Sequence, residues 1–260
     1  MPPYPLRPFV VTGCARSGTT YASVALTRLG LRCGHEVVFG PDTRAFTGFR
    51  GQHGDASWLA VPFLDQLPDD TLVLHRVRHP LRVVRSLLGI RFFDDRSRAF
   101  LAGDVAYTAV KWRVREVLMR MGEVEQSEKG ARPHRSYRRY VRTYAPEVWP
   151  EPTAAERALR YWAGWNRRVD AVAAAGRLEV RRHHVETLDD AGLADELAAI
   201  GLPVAPEHVA LVTAALPRDT NTRRVATVDW EDLPDGPARW AAEKLALEYG
   251  YDPRRPDAAP

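Results

Sequence analysis

The apolar and polar positions divide the chain into short apolar runs, each followed by an amphipathic stretch. Phe9-Val10-Val11 is such a run. It ends in Thr12-Gly13, and hydroxyl residues at 19–20 open a helix through Tyr21 to Leu29. Gly30 caps that helix, and Leu31-Arg32-Cys33 alternates as a short second strand ending at Gly34-His35-Glu36. Residues 40–54 are rich in glycine and polar residues, show no period and read as a loop. Asp55 to Leu67 predicts a helix, kinked or broken early at Pro62 and ended by Pro68. Thr71 to Val77 is the strongest strand pattern in the chain. It runs through Arg78-His79-Pro80 into an amphipathic helix from Leu81 to Ile90, and proline suits a helix start because its missing N–H is no loss there.

The second half continues the alternation. Asp104 to Met121 predicts a long amphipathic helix, and residues 122–152 are charged and interrupted by Pro133, Pro146 and Pro150. Thr153-Ala154-Ala155-Glu156 is a capping box that opens a helix to about Ala175. Its Leu159, Trp162, Trp165, Val169 and Val172 recur at helical period, which places both tryptophans in the core. Leu178 to Val185 is a further strand, and short helices follow around Leu193–Ile200 and Pro206–Leu216. A polar loop at 217–224, a helix from Pro237 to Tyr249 and a Pro/Arg/Ala tail at 253–260, expected to be mobile, complete the chain. Strands alternating with helices predict a single α/β domain over 1–260, with a central, mainly parallel sheet and helices on both faces.

Composition narrows the class. Of 260 residues 45% are hydrophobic and 27% charged, as in an ordinary soluble globular protein. The net charge of +4 favours anionic ligands but is too small to demand nucleic acid. Two cysteines, Cys14 and Cys33, cannot form a disulfide framework; they suit a reducing compartment and read as small buried hydrophobes. Met1 to Pro5 lacks a signal-peptide core and no run is long enough to span a bilayer, so a soluble, cytoplasmic protein is expected. His183 and His184 are adjacent on a strand and point to opposite faces, and no cluster has metal-ligand spacing; no metal is expected.

The chemistry concentrates at two strand-to-helix junctions. At the first, Gly13-x-x-x-x-Gly18 has phosphate-loop spacing, but Thr19 stands where that pattern has lysine and Arg16 supplies the positive charge. Unsatisfied N–H groups and the dipole of the following helix make such a start an anion site. Arg16-Ser17-Gly18-Thr19-Thr20 resembles the 5′-phosphosulfate loop of sulfotransferases that use 3′-phosphoadenosine 5′-phosphosulfate (PAPS). At the second junction, Arg78-His79-Pro80-Leu81-Arg82-Val83-Val84-Arg85-Ser86 resembles the family's 3′-phosphate motif, with Arg82 and Arg85 on a solvated face.

The resemblance implies a P-loop-type three-layer fold and transfer of a sulfonate group from PAPS to a hydroxyl or amine, without a metal. Gly13, Arg16, Ser17, Gly18, Thr19 and Thr20 would hold the donor's 5′ end, and Arg78 and Ser86 its 3′-phosphate. Glu186-Thr187-Leu188 would lie on the adenine side. The late basic loop, with Asn221, Arg223 and Arg224, would fold over the 3′-phosphate, although the family's Arg-Lys-Gly sequence is absent. Arg16 would act by charge on the leaving oxygen, and Glu36 or His35 would be the base. Adjacent residues leaving a strand point in opposite directions, and Glu36 is favoured because Gly34-His35-Glu36 resembles the glutamate-base branch. The acceptor would be a small molecule, sugar or lipid, and no nucleic acid is expected.

Two other readings stay open. A P-loop kinase or NTPase needs a loop lysine and a magnesium carboxylate after a strand, where this chain has Thr19 and Arg78. A nucleic-acid-binding protein would use Arg132, Arg135, Arg138, Arg139 and Arg142, interleaved with Tyr137, Tyr140 and Tyr144. That same stretch also reads as a lid or acceptor-side insertion over 122–152, or as a solvated helical face.

Overall fold

Five parallel strands build one sheet: β1 (Phe9–Gly13), β2 (Cys33–His35), β3 (Gly54–Ala56), β4 (Leu72–Val77) and β5 (Glu179–His184), in the order β2-β3-β1-β4-β5. The structure, a computed structural model, describes residues 5–94, 134–216, 225–258 and 260. The helix expected at 104–121, Arg132, and the loop carrying Asn221, Arg223 and Arg224 lie outside the described residues. Seven α-helices are described: α1 (Thr19–Arg28), α2 (Pro80–Gly89), α3 (His134–Tyr144), α4 (Ala154–Ala175), α5 (Asp190–Ile200), α6 (Pro206–Ala214) and α7 (Pro237–Glu248). The arrangement is the expected three-layer α/β fold.

Side chains alternate across the sheet, and each face has its own core. Val10, Val73 and Val77 pack with Val84 and Leu87 of α2, Leu159, Trp162 and Trp165 of α4, and Leu245 of α7. Phe9, Val11, Leu72 and Leu74 pack on the opposite face with Leu26 of α1, Leu197 and Ile200 of α5, and Val209 of α6. Both tryptophans of α4 are buried as the helical period predicts, and so are Cys14 and Cys33. α4 starts at the capping box, where Thr153 accepts from Glu156 N–H and the Glu156 carboxylate accepts from Thr153 N–H at 3.1 Å. It stops at Gly176, whose φ of 70° is left-handed.

The expected helix from Asp55 to Leu67 is corrected. Gly54–Ala56 is a strand, paired with β1 through Phe9↔Gly54 and Val11↔Ala56, and with β2 through Cys33↔Gly54. A Cβ at Gly54 would collide with the ring and carbonyl of Phe9, so this close strand pairing requires glycine. Only Trp58–Gln66 is helical, and as a 3₁₀ helix containing Pro62, a residue that cannot donate to a regular α turn.

Arg82 and Arg85, expected on a solvated face of α2, instead clasp passing chain segments. Arg82 donates to the Pro256 carbonyl at 2.7 Å and to Asp257 at 2.8 Å. Arg85 donates to the Val228 carbonyl and to Asp229, both at 2.6 Å. His183 and His184 face opposite sides as expected: His184 bonds the Tyr249 carbonyl at 2.8 Å, while His183 lies 3.3 Å from Glu196. Among the described residues no helix is long and apolar enough to cross a membrane.

Candidate functional site

The two junctions singled out in the sequence follow adjacent strands. β1 and β4 pair in parallel with Gly13 opposite Arg76, so the loop after β1 and the turn after β4 leave the sheet side by side. In a parallel sheet, ligands collect at this carboxyl rim, where successive connections diverge. Gly13 has no alternative there: its φ is 154°, and a Cβ would clash with the Arg76 carbonyl.

The loop itself carries two left-handed residues, Arg16 at φ 76° and Gly18 at φ 78°. Gly18 is the N-cap of α1 but provides no side-chain cap, and the first turn contains no acidic residue. No side chain of the cap or first turn therefore offsets the positive end of the helix. The Ser17 hydroxyl is buried and has no hydrogen-bond partner among the described residues. An orphaned buried hydroxyl costs stability unless something accepts from it or donates to it. A phosphate or sulfate ester at this loop would do both jobs, satisfying the hydroxyl and the helix start.

Arginines from both junctions meet over the loop. Arg16 Nε donates to the Ser86 hydroxyl at 2.7 Å, and Arg78 Nη1 donates to the Arg16 carbonyl at 2.9 Å. Three residues expected at opposite ends of one donor thus form a connected group. Burial pulls the Arg78 guanidinium below its ordinary value, opposed chiefly by nearby Glu186. No carboxylate among the described residues lies within ion-pair distance of Arg78. A partly buried, charged guanidinium without a carboxylate partner is a strong site for an anion.

Residues outside both motifs, with His79 inside the second, hold this turn. Trp162 Nε1 donates to the Arg78 carbonyl at 3.0 Å. His79 Nδ1 accepts from Leu81 N–H at 3.2 Å, which leaves its Nε2–H to donate to the Asp252 carbonyl at 2.8 Å. Glu186 accepts from His79 N–H at 3.0 Å and from the Tyr251 hydroxyl at 2.8 Å. These braces were invisible to motif reading, because Trp162 reads as core and Tyr251 lies in no motif. Only Glu186 had been singled out.

His35 and Glu36 leave β2 on the same rim. His35 Nε2 lies 3.0 Å from the Thr20 hydroxyl, which joins it to the first turn of α1. Glu36 is nearly buried, has a left-handed φ of 56°, and accepts from the Tyr137 hydroxyl at 2.5 Å. Its loop is shaped from below by Asp55. The buried Asp55 carboxylate accepts from Val37 N–H at 3.0 Å and from Phe39 N–H at 3.1 Å. Ser57 adds a third tie, donating to the Phe39 carbonyl at 2.8 Å. Gly34 is required beneath this turn, since a Cβ would fall on the Asp55 carboxylate.

The tyrosines of α3 turn inward. Tyr140 is buried, Tyr137 packs on Trp58 with centroids 5.8 Å apart, and Tyr144 meets Phe63 at 5.3 Å. Arg142 stacks over Trp149 at 4.3 Å. The rings interleaved with the basic residues therefore serve the core beside Glu36.

Fold and site together define a three-layer α/β protein with two arginine-bearing strand-to-helix junctions on neighbouring strands. No family model, curated protein or solved structure gives a match to this chain.

Proposed function

We propose that the chain is a PAPS-dependent sulfotransferase acting on a hydroxyl or amine of a small-molecule, sugar or lipid acceptor. The observation that carries the reading is the convergence of Arg16, Arg78 and Ser86, which the sequence separates by up to 70 positions. A ligand with phosphate-like groups at two ends of one nucleoside suits two such junctions set side by side. The orphaned Ser17 hydroxyl and the uncapped start of α1 fit one anionic group, and Arg78 with Ser86 fits another.

When bound, the donor would supply an activated sulfonate group held in a mixed phosphate–sulfate anhydride, with adenosine 3′,5′-bisphosphate as the leaving group. Gly18 and Thr19 would bind its 5′ phosphate through backbone N–H groups, with the Ser17 and Thr20 hydroxyls beside them. Arg16 would offset charge growing on the oxygen that the sulfonate leaves; a guanidinium keeps its proton, so its contribution is electrostatic. Glu36 would take the proton from the acceptor as its oxygen or nitrogen bonds to sulfur, with His35 as the second candidate. Tyr137 orients the Glu36 carboxylate for that step.

Calorimetry tests the reading. Adenosine 3′,5′-bisphosphate should bind far more tightly than AMP or ATP, and Arg78→Ala should erase that preference. Equal affinity for ATP would remove the 3′-phosphate assignment.

A further inference from the structure

The peptide unit between Cys14 and Ala15 is gripped at both ends. Its N–H donates to the Tyr161 hydroxyl at 3.2 Å, and its carbonyl accepts from Ser17 N–H at 3.1 Å. A peptide unit is planar and trans, so its N–H and C=O point opposite ways, and fixing one aims the other. Tyr161 belongs to the same buried core cluster as Cys14. Its ring is fully buried, edge-on to Trp58 at 6.1 Å, tilted against Phe93 at 5.6 Å and against Trp165 at 5.1 Å. The phenol is therefore a fixed point on α4, 146 positions from Ala15 and outside both motifs.

What this grip shapes is the turn from Cys14 to Ser17. The turn puts Arg16 at φ 76°, directs its carbonyl to Arg78, and ends at the buried Ser17 hydroxyl, which has no partner among the described residues. A left-handed arginine is costly without surrounding structure that imposes it. Ala15 N–H is already spent on Tyr161, so it is withdrawn from the row of amides that a phosphate-binding loop offers its ligand.

We propose that Tyr161 is a positioning residue for anion binding. Acting through the Cys14–Ala15 peptide plane, it aims the Ser17 hydroxyl and the first amides of α1 at a phosphate or sulfate ester, while Ala15 N–H stays out of the ligand shell. The inference rests on reading this loop as an anion site, and not on which group is transferred.

The test uses inorganic pyrophosphate and adenosine 3′,5′-bisphosphate, with calorimetry and amide NMR on the full chain. Tyr161→Phe keeps the ring and removes one hydroxyl. It should weaken both probes about fivefold to twentyfold, the scale of one lost hydrogen bond in a binding site. In the wild-type protein, pyrophosphate should shift the amides of Ser17, Gly18 and Thr19 and leave that of Ala15 in place; in Tyr161→Phe, Ala15 should join them. A purely structural role would lower the unfolding midpoint and leave affinity within twofold, and that result overturns the proposal. Should the variant not fold, the wild-type spectra decide: an Ala15 amide among the most ligand-responsive overturns it. Wild-type protein that binds no pyrophosphate overturns it as well. Pyrophosphate binding with no preference for the bisphosphate over ATP would sink the sulfotransferase reading alone, leaving the Tyr161 comparison intact.

Discussion

Tyr137 donates its phenolic proton to the Glu36 carboxylate at 2.5 Å, linking α3 to the rim of the sheet across 101 positions of sequence. Its neighbour His35 turns the other way, to Thr20 at the start of α1. The two candidate bases therefore face different parts of the site.

Replacing Glu36 by Gln keeps shape and removes the basic site. Turnover of labelled PAPS with an accepted substrate should fall about 10²–10⁴-fold, with bisphosphate affinity nearly unchanged. Tyr137→Phe should cost about tenfold, the size of one hydrogen bond to a charged group. His35→Asn should do less than Glu36→Gln; the reverse ranking moves the base to His35.

Asp55 is expected to matter more for stability than its distance from both motifs suggests. Its carboxylate takes the N–H groups of Val37 and Phe39, and both it and Ser57 are fully buried. Asp55→Ala strands two amides and should cost about 2–4 kcal/mol, read as the shift of the urea unfolding curve. A cost under 1 kcal/mol would show that the 34–39 loop is held by other contacts.

His75 should make the fold acid-sensitive. It is fully buried, and burial lowers its pKa from 6.5 to about 4, against the Asn166 hydrogen bond that opposes the fall. Asn166 Nδ2 donates to the Trp162 carbonyl, which leaves Oδ1 to accept from His75 Nε2 at 3.0 Å. A second proton would sit on Nδ1, which has no partner among the described residues. Between pH 6.5 and about 4 the unfolded chain binds a proton that the folded one refuses, so stability falls as pH drops through that window. The loss is up to ~3 kcal/mol, and above pH 6.5 this residue contributes no slope. Unfolding curves of wild type and His75→Gln, compared at pH 7 and pH 4.5, should show a smaller acid loss in the variant. Equal losses would remove His75 as the source.

The buried pair of Arg76 and Glu196 offers a contrast. Arg76 grips the carboxylate with both terminal nitrogens, and His183 lies beside it at 3.3 Å. Glu196→Ala leaves a buried cation and should cost about 3–5 kcal/mol. The double change Arg76→Met with Glu196→Leu should recover most of that in the same unfolding assay. If the single and double variants are equally unstable, the pair is not the origin of the cost.

How much of this was legible in the sequence follows from the length of each signal. β1 and β4 open on apolar runs, Phe9-Val10-Val11 and Leu72-Val73-Leu74, and lead into helices, so both junctions and the α/β class could be read directly. β3 could not: three residues, Gly54-Asp55-Ala56, have no period, and their strand identity comes from pairing on both sides. Losing β3 meant losing Asp55, whose role exists only once β2 and β3 lie together. Arg82 and Arg85 show the same limit. Nothing local distinguishes an arginine in water from one holding a carbonyl more than 140 positions away. Trp162 was rightly assigned to the core and Tyr161, equally buried, was not singled out; periodicity reports which face is buried and not which polar atom of a buried ring finds a backbone partner.

The pairing of Gly13 with Arg76 has a last consequence. Two parallel strands in one sheet stand about 4.8 Å apart wherever they occur. The gap between the two arginine-bearing turns is thus measured out by backbone hydrogen bonds, independently of any side chain in the site. Loops beyond the sheet can be lengthened, exchanged or rewritten without altering that ruler. Side chains at the rim are free to drift, while the two arginine-bearing turns keep their separation.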